Sequence, residues 1–383
     1  MALDDLPLFV PASFSFASDW FHHHAGSTYE ESLMRDPVAR NAQSAREGRF
    51  VRRRYPELFR PASFDASAGA EGGTGAGEGG SGELADGDDA RPGSASLGMG
   101  VVTLPTAFGA RVRFQAHMDP QVLPVVPEGS DPASVLRVPD MEEGLRWVFE
   151  EIDALVDAGY EKGRIAMPNL QGPLNVATVL VGDRRMLSLV ARRKKADVVD
   201  RVLDVTTEAF VDATKALRRA LGRSTRGPFT VAGCTHYYLS PRSWTRFVLP
   251  RVRRMVEELG GPARLHHCGE ANEQKVETYA QFPWASVELG FGSALRRARE
   301  LFVSPRYGPL NLSCRVSPYR LLNQPAAQVR RDVEWILSEV RGGPANVSVV
   351  GVPLGTPDGN LRAMRAAVDA YNERKAAELE LEL

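Results

Sequence analysis

Two residues of types that can bind soft metal ions, separated by a single residue, lie in the segment RLHHCGE, residues 264–270. Alternate residues of a β-strand point to the same side. His266 and Cys268 therefore share a face, whereas His267 points the other way. Imidazole nitrogen and thiolate sulfur are common zinc ligands in proteins. The spacing predicts half of a metal site, and packing of these side chains in the core is the alternative interpretation.

Two further candidate ligands follow at the ends of the next two predicted strands. Glu288 lies near the end of ASVELGFG, and Cys314 lies near the end of GPLNLSCRVSP. Together with His266 and Cys268 they are predicted to form a tetrahedral zinc set with one exchangeable position. We predict a second role for Glu288, in catalysis.

A competing pair lies one strand earlier, in FTVAGCTHYY (229–238), where Cys234 and His236 have the reversed spacing. Cys234 is either a buried thiol or an alternative ligand. His236 is either the other half of that alternative pair or a residue that faces the substrate. We predict catalytic roles in orienting the substrate for His236 and the adjacent Tyr237.

Composition excludes several classes of protein. The 383 residues are 43% hydrophobic and 25% charged, with a formal net charge of −1, so no basic excess favours nucleic acid or an acidic membrane surface. No apolar run approaches the 18 residues of a membrane span, and Asp4 and Asp5 lie where a signal peptide requires positive charge. Three cysteines are too few for a disulfide framework. We predict a cytoplasmic enzyme.

Most of the chain alternates between strand-like and helical segments, which predicts a parallel sheet. About eight strands can be counted when early segments at 8–14, 56–61 and 165–169 are included, which favours a (β/α)8 TIM-type barrel. A β-hairpin at 101–114 and an N-terminal extension are predicted to decorate it. Barrel active sites lie at the carboxyl ends of the strands, where the candidate ligands fall.

One segment differs from the rest of the chain. Residues 65–99 are dominated by glycine, alanine, serine and acidic residues and contain few large apolar side chains. Such a composition does not bury enough surface to offset the entropy of ordering. We predict a flexible acidic insertion within a single domain that spans residues 1–383.

Several segments, in order, resemble the uroporphyrinogen decarboxylase superfamily. They lie between about residues 135 and 375 and are NLQGPLNVATVLVG, LSPRSWTRFVLPRV, LHHCG, SVELGFGSALRRARELF, GPLNLSCRVSPYRLL and GTPDGNLRAMRAAVDAY. The superfamily contains a metal-free decarboxylase and zinc-dependent methyltransferases that work with corrinoid or thiol partners. The arginine-rich N-terminal motif of the decarboxylase is not recognisable here, whereas His266 and Cys268 match the H-x-C motif of the methyltransferases.

The resemblance also identifies one departure. The methyltransferases carry a later cysteine in the last strand, and the corresponding segment here, SVVGVPLGTP, has none. Either Cys314 supplies that thiolate, or Glu288 and another group complete the site, or zinc is not bound.

The resemblance implies a zinc-dependent methyl or alkyl transferase that acts on a thiol or a methylated small molecule. It further implies a corrinoid supplied from outside, on a separate protein or as a free cofactor, and a homodimer. The alternatives are a metal-free lyase like the decarboxylase and a non-catalytic barrel that binds a tetrapyrrole or a metal.

Overall fold

A computed structural model describes residues 9–59, 93–305 and 308–382. The described residues divide into two compact units, one formed by residues 9–27, 47–59, 267–305 and 308–382 and the other by residues 28–46 and 93–266. The strands are β1 Ala12–Phe16, β2 Ala95–Ser96, β3 Val112–Gln115, β4 Met118–Val122, β5 Ile165–Ala166, β6 Gly227–Ala232, β7 Gly260–His267, β8 Ser286–Leu289, β9 Val303–Ser304, β10 Gly308–Pro309, β11 Asn311–Arg315 and β12 Ala345–Val352.

Helices occupy most of the intervening chain. They are α1 Ser18–Ala25, α2 Glu31–Met34, α3 Pro37–Arg54, α4 Thr103–Ala107, α5 Pro132–Val135, α6 Met141–Gly144, α7 Arg146–Asp157, α8 Pro173–Val181, α9 Asp183–Ala191, α10 Ala196–Ala220, α11 Pro241–Phe247, α12 Leu249–Leu259, α13 Glu273–Tyr279, α14 Leu295–Leu301, α15 Pro318–Asn323, α16 Ala326–Glu339 and α17 Asp358–Glu382. None of the helices in the described part of the chain is both long and apolar enough to cross a membrane.

The first unit contains a parallel sheet in the order β8, β11, β12, β1. One face of this sheet is apolar, and Leu289, Leu312 and Val347 on it are fully buried. Glu288, Ser313 and Arg315 lie on the opposite face and are polar. The sequence alternates in the same way, because successive side chains of a strand point to opposite faces.

The second unit pairs β6 with β7 and β2 with β5 in parallel, and β3 with β4 antiparallel. Its longest helix is α10, whose apolar residues recur at helical spacing. The predicted inner side of that helix is confirmed, because Val199, Val202, Leu203, Phe210 and Leu217 are all buried. The predicted alternation of strands and helices with parallel pairing is likewise confirmed in both units.

Two predicted strand segments are wrong in part. Residues 56–59 form a 3₁₀-helix rather than a strand, since Pro56 has no backbone N–H to donate to a sheet. The strand predicted over 229–238 ends at Ala232, and Cys234–Tyr238 form a 3₁₀-helix. Gly233 permits this turn, because a Cβ there would lie 2.3 Å from Nδ1 of His236.

The hairpin and the insertion also need correction. Thr103–Ala107 is helical, and Gly109, with a φ of +75°, follows the helix, so the antiparallel pair lies later, at 112–122, rather than at 101–114. Of the predicted insertion 65–99, residues 65–92 lie outside the described residues. The remainder is ordered: Ala95, Leu97 and Met99 are buried, because β2 pairs with β5.

The cap of α11 leads to a stability prediction. Ser240 precedes Pro241 at the helix start, and its Oγ accepts a hydrogen bond of 3.1 Å from the backbone N–H of Ser243. Ser240→Ala should lower the free energy of unfolding by about 1 kcal/mol, because one N–H of the first turn loses its partner. Urea denaturation measures this change. Ser240→Asp restores a capping oxygen and should recover most of the loss; equal losses in both variants would contradict the assignment.

Candidate metal centre

Parallel pairing of β6 with β7 brings the ends of the two strands together. Ala232 is the register partner of His266, and the backbone N–H of Gly233 donates a hydrogen bond of 2.7 Å to the carbonyl oxygen of His266. The chain then turns into the 3₁₀-helix that begins at Cys234. Cys234 therefore follows β6 at the level where β7 ends, with His266 as the penultimate residue of the strand and Cys268 directly after it.

Cys234, His266 and Cys268 form a group with metal-ligand geometry. One ligand atom from each lies within 4.8 Å of the other two; Cys234 and His266 are half-buried and Cys268 is exposed. Tetrahedral zinc with Zn–S of about 2.3 Å and Zn–N of about 2.0 Å holds its ligand atoms roughly 3.5–3.8 Å apart. The three ligand atoms thus need to move closer to one another by up to about 1 Å to coordinate a zinc ion. Two thiolates and one imidazole fit zinc, with a fourth position for an exchangeable ligand.

His267 lies on the other side of β7, as the alternation predicts. Its side chain is fully buried, and its ring contacts that of Tyr279 edge-on, at 5.3 Å between centroids. Burial raises the pKa of Tyr279 well above its usual range. Of the residues in RLHHCGE, His266 and Cys268 therefore lie in the group of candidate ligands and His267 lies in the core.

A network of side-chain amides holds the turn that carries Cys234. Asn175, buried on α8, accepts hydrogen bonds from the backbone N–H (3.1 Å) and the hydroxyl of Thr235, and donates to Oε1 of Gln171 (2.8 Å). Gln171 has a φ of +63° and donates in turn to Asn169. A left-handed conformation at a residue other than glycine is uncommon. The segment NLQGPLN thus positions the turn that contains Cys234.

Cys314 occupies a different environment. It is 1% exposed on the apolar face of β11, beside Leu312, whose carbonyl oxygen lies 3.8 Å from its Sγ. Burial raises the pKa of the Cys314 thiol to about 12, which opposes formation of a thiolate. The structure does not place Cys314 in the group formed by Cys234, His266 and Cys268.

Glu288 is engaged by an arginine. Its Oε1 accepts a hydrogen bond of 2.5 Å from Nε of Arg315 and lies 2.5 Å from Nη2 in an ion pair, and both side chains are largely buried. Ser313 is the register partner of Glu288 on β11, which places Arg315 two residues further along the same face. This carboxylate is likewise outside the group of three candidate ligands.

The two remaining predicted site residues differ in exposure. His236 is 2% exposed, and its Nδ1 lies 3.4 Å from Nε1 of Trp244, which donates to it. Tyr237 is 46% exposed and contacts the ring of Tyr238 edge-on. His236 is therefore separated from solvent, whereas Tyr237 is accessible to a ligand.

The sequence suggested Cys234 either as a buried thiol or as an alternative ligand together with His236, and it did not indicate a role for Asn175. Position in the strand could have identified Cys234, because parallel neighbours end at the same edge and β6 directly precedes β7. No comparable signal marked Asn175, since its role depends on a contact with Thr235, sixty residues away in sequence.

Comparison with known proteins assigns the family. The sequence matches the uroporphyrinogen decarboxylase (URO-D) family over residues 88–371. The chain therefore belongs to the URO-D family. A search of curated proteins gives no match.

Among solved structures, a methyltransferase from Methanosarcina mazei aligns with 96% of this chain and 95% of its own, at 17% identity and a TM-score of 0.60. It shows that the two proteins share a fold. D-psicose 3-epimerase from Clostridium cellulolyticum H10, in crystal structures with D-tagatose, aligns with 60% of this chain and 82% of its own at 10% identity. Its TM-score of 0.28 is too low to indicate a shared fold.

Proposed function

We propose that the protein is a zinc-dependent methyltransferase of the URO-D family. The observation that carries the proposal is the convergence of Cys234, His266 and Cys268 at the ends of two neighbouring parallel strands. Membership of the family and the fold shared with a methyltransferase are consistent with it. We propose further that the strands close into a complete (β/α)8 barrel that forms a single domain, as the resemblance implies.

The chain's own residues would hold and orient the reactants. Cys234, His266 and Cys268 would hold zinc, and Tyr237 would contact the substrate. A zinc ion in such a site supplies Lewis acidity, which lowers the pKa of a thiol bound to it. Cys268 is exposed, so a small molecule can reach the site.

The proposed substrate is a thiol, and the proposed methyl donor is a corrinoid supplied on a separate protein or as a free cofactor. The thiol sulfur provides the electron pair of the new S–C bond. The bond between donor and methyl group breaks with its electron pair left on the donor, and the thiol proton passes to solvent. A homodimer in the cytoplasm completes the proposal.

Metal content and methyl transfer test this function together. The purified protein should contain about one zinc per chain and should convert small thiols to methyl thioethers when methylcobalamin is the donor, as detected by mass spectrometry. His266→Ala should lose both properties. A wild-type protein without metal that releases carbon dioxide from uroporphyrinogen would establish the lyase alternative. Tight porphyrin binding without turnover would establish a non-catalytic barrel.

A further inference from the structure

The polar face of the sheet in the first unit carries a second cluster, separate from the candidate zinc ligands. Register places Ser313 opposite both Glu288 and Asn346, and Arg315 opposite Ser348. Adjacent strands lie about 4.8 Å apart, so these side chains are neighbours on one face.

Three buried polar atoms of this cluster have no hydrogen-bond partner among the described residues: Nη1 of Arg315, Oδ1 of Asn346 and Oγ of Ser348. Native proteins pair nearly all such atoms, because a buried polar group without a partner costs about 1–3 kcal/mol. These three atoms lie on two neighbouring strands. Their proximity indicates a place where a ligand supplies the missing hydrogen bonds.

A second buried arginine of the same unit has hydrogen-bond partners for all three of its guanidinium nitrogens. Arg299 donates through Nε, Nη1 and Nη2 to the carbonyl oxygens of Val340, Leu310 and Pro344, at 2.8–3.1 Å. Arg315 instead directs Nε and Nη2 to one oxygen of Glu288 and leaves Nη1 without a partner. The Glu288 carboxylate thus fixes the orientation of the Arg315 guanidinium, and Nη1 of that guanidinium remains available to donate to a ligand.

We propose that Arg315, Ser348 and Asn346 form a binding subsite for an oxyanion, such as the carboxylate of a small molecule. The guanidinium edge and the serine hydroxyl donate hydrogen bonds to two anionic oxygens. The amide of Asn346 can present its NH₂ group by rotation of the side chain. This subsite does not depend on the zinc site, because it uses none of the candidate metal ligands of β6 and β7.

The test measures binding of propionate by saturation-transfer NMR, with propionamide as the neutral probe of similar shape. Propionate should bind the wild-type protein more tightly than propionamide, before and after removal of metal with a chelator. The double variant Glu288→Gln, Arg315→Met removes the guanidinium without leaving a buried charge, and it should weaken propionate binding at least about 10-fold. Ser348→Ala should weaken it about 3- to 10-fold.

The matched control is Arg320→Met, Asp332→Asn, which removes another arginine–carboxylate pair of the same unit, held by hydrogen bonds of 2.7 and 2.9 Å. This control should bind propionate like the wild type. Equal binding of propionate and propionamide would overturn the proposal, as would binding that survives in the Glu288, Arg315 double variant. Failure of propionate to bind would show that only ordered water satisfies the cluster, and it would overturn the proposal as well.

Discussion

Cys234→Ala is expected to remove most of the proposed zinc from the protein and to abolish the proposed methyl transfer. Loss of a side chain that merely orients a metal ligand costs about 10- to 100-fold in metal affinity, so loss of a ligand should cost more than about 100-fold. Only His266 and Cys268 of the three-residue group would remain, too few to hold the ion tightly. Metal analysis after dialysis against a weak chelator, together with the methyl-transfer assay, measures both effects.

Cys314→Ala provides the matched control, because it removes the thiol that the sequence suggested as a ligand. This variant should retain zinc at the wild-type level, since Cys314 lies buried on the apolar face of β11. It should lose only modest stability through the small cavity that the sulfur leaves. Zinc loss in Cys314→Ala with retention in Cys234→Ala would reverse the ligand assignment.

Glu151→Gln is expected to cause a large loss of stability. Both carboxylate oxygens of Glu151 accept hydrogen bonds of 2.9 Å from Arg40, and Oε2 also accepts one of 2.7 Å from the backbone N–H of Gly98. Glu151 is 4% exposed. Removing one partner of a buried pair leaves an uncompensated charge and costs about 3–5 kcal/mol. Urea denaturation followed by circular dichroism gives the change in unfolding free energy.

The exposed pair of Glu31 and Arg35 in the same unit supplies the comparison. Their side chains are 57% and 55% exposed, and Nε of Arg35 lies 2.7 Å from Oε1 of Glu31. Glu31→Gln should cost no more than about 0.5 kcal/mol, because solvent screens the pair. A loss below about 1 kcal/mol for Glu151→Gln would show that Arg40 finds another partner or is reached by water.

The alternation of apolar and polar residues contains more information about the site than the prediction of Cys314 as a ligand took into account. In LNLSCRV the apolar residues Leu310, Leu312, Cys314 and Val316 occur at every second position. Cys314 therefore belongs to the buried set, and the structure confirms that burial. The same rule, applied to RLHHCGE, correctly separated His267 from His266 and Cys268. Cys314 was predicted as a zinc ligand from its thiol chemistry alone, without regard to this alternation.

The ion pair of Glu288 could not be predicted from the sequence. Arg315 lies twenty-seven residues away, and only the register between β8 and β11 brings the two side chains together. A carboxylate at the end of a strand can bind a metal, a proton or an arginine. Which of these it contacts depends on the neighbour that the sheet places beside it.

The alternation of strands and helices, the faces of the strands and the common face of His266 and Cys268 could be predicted from local periodicity alone. The position of Cys234 beside His266 and Cys268 depends on contacts between distant segments. Strand pairing sets which loops meet, and the Asn175 network sets the path of the turn after β6. Contacts between segments that are distant in sequence depend on register and packing, which local patterns do not encode.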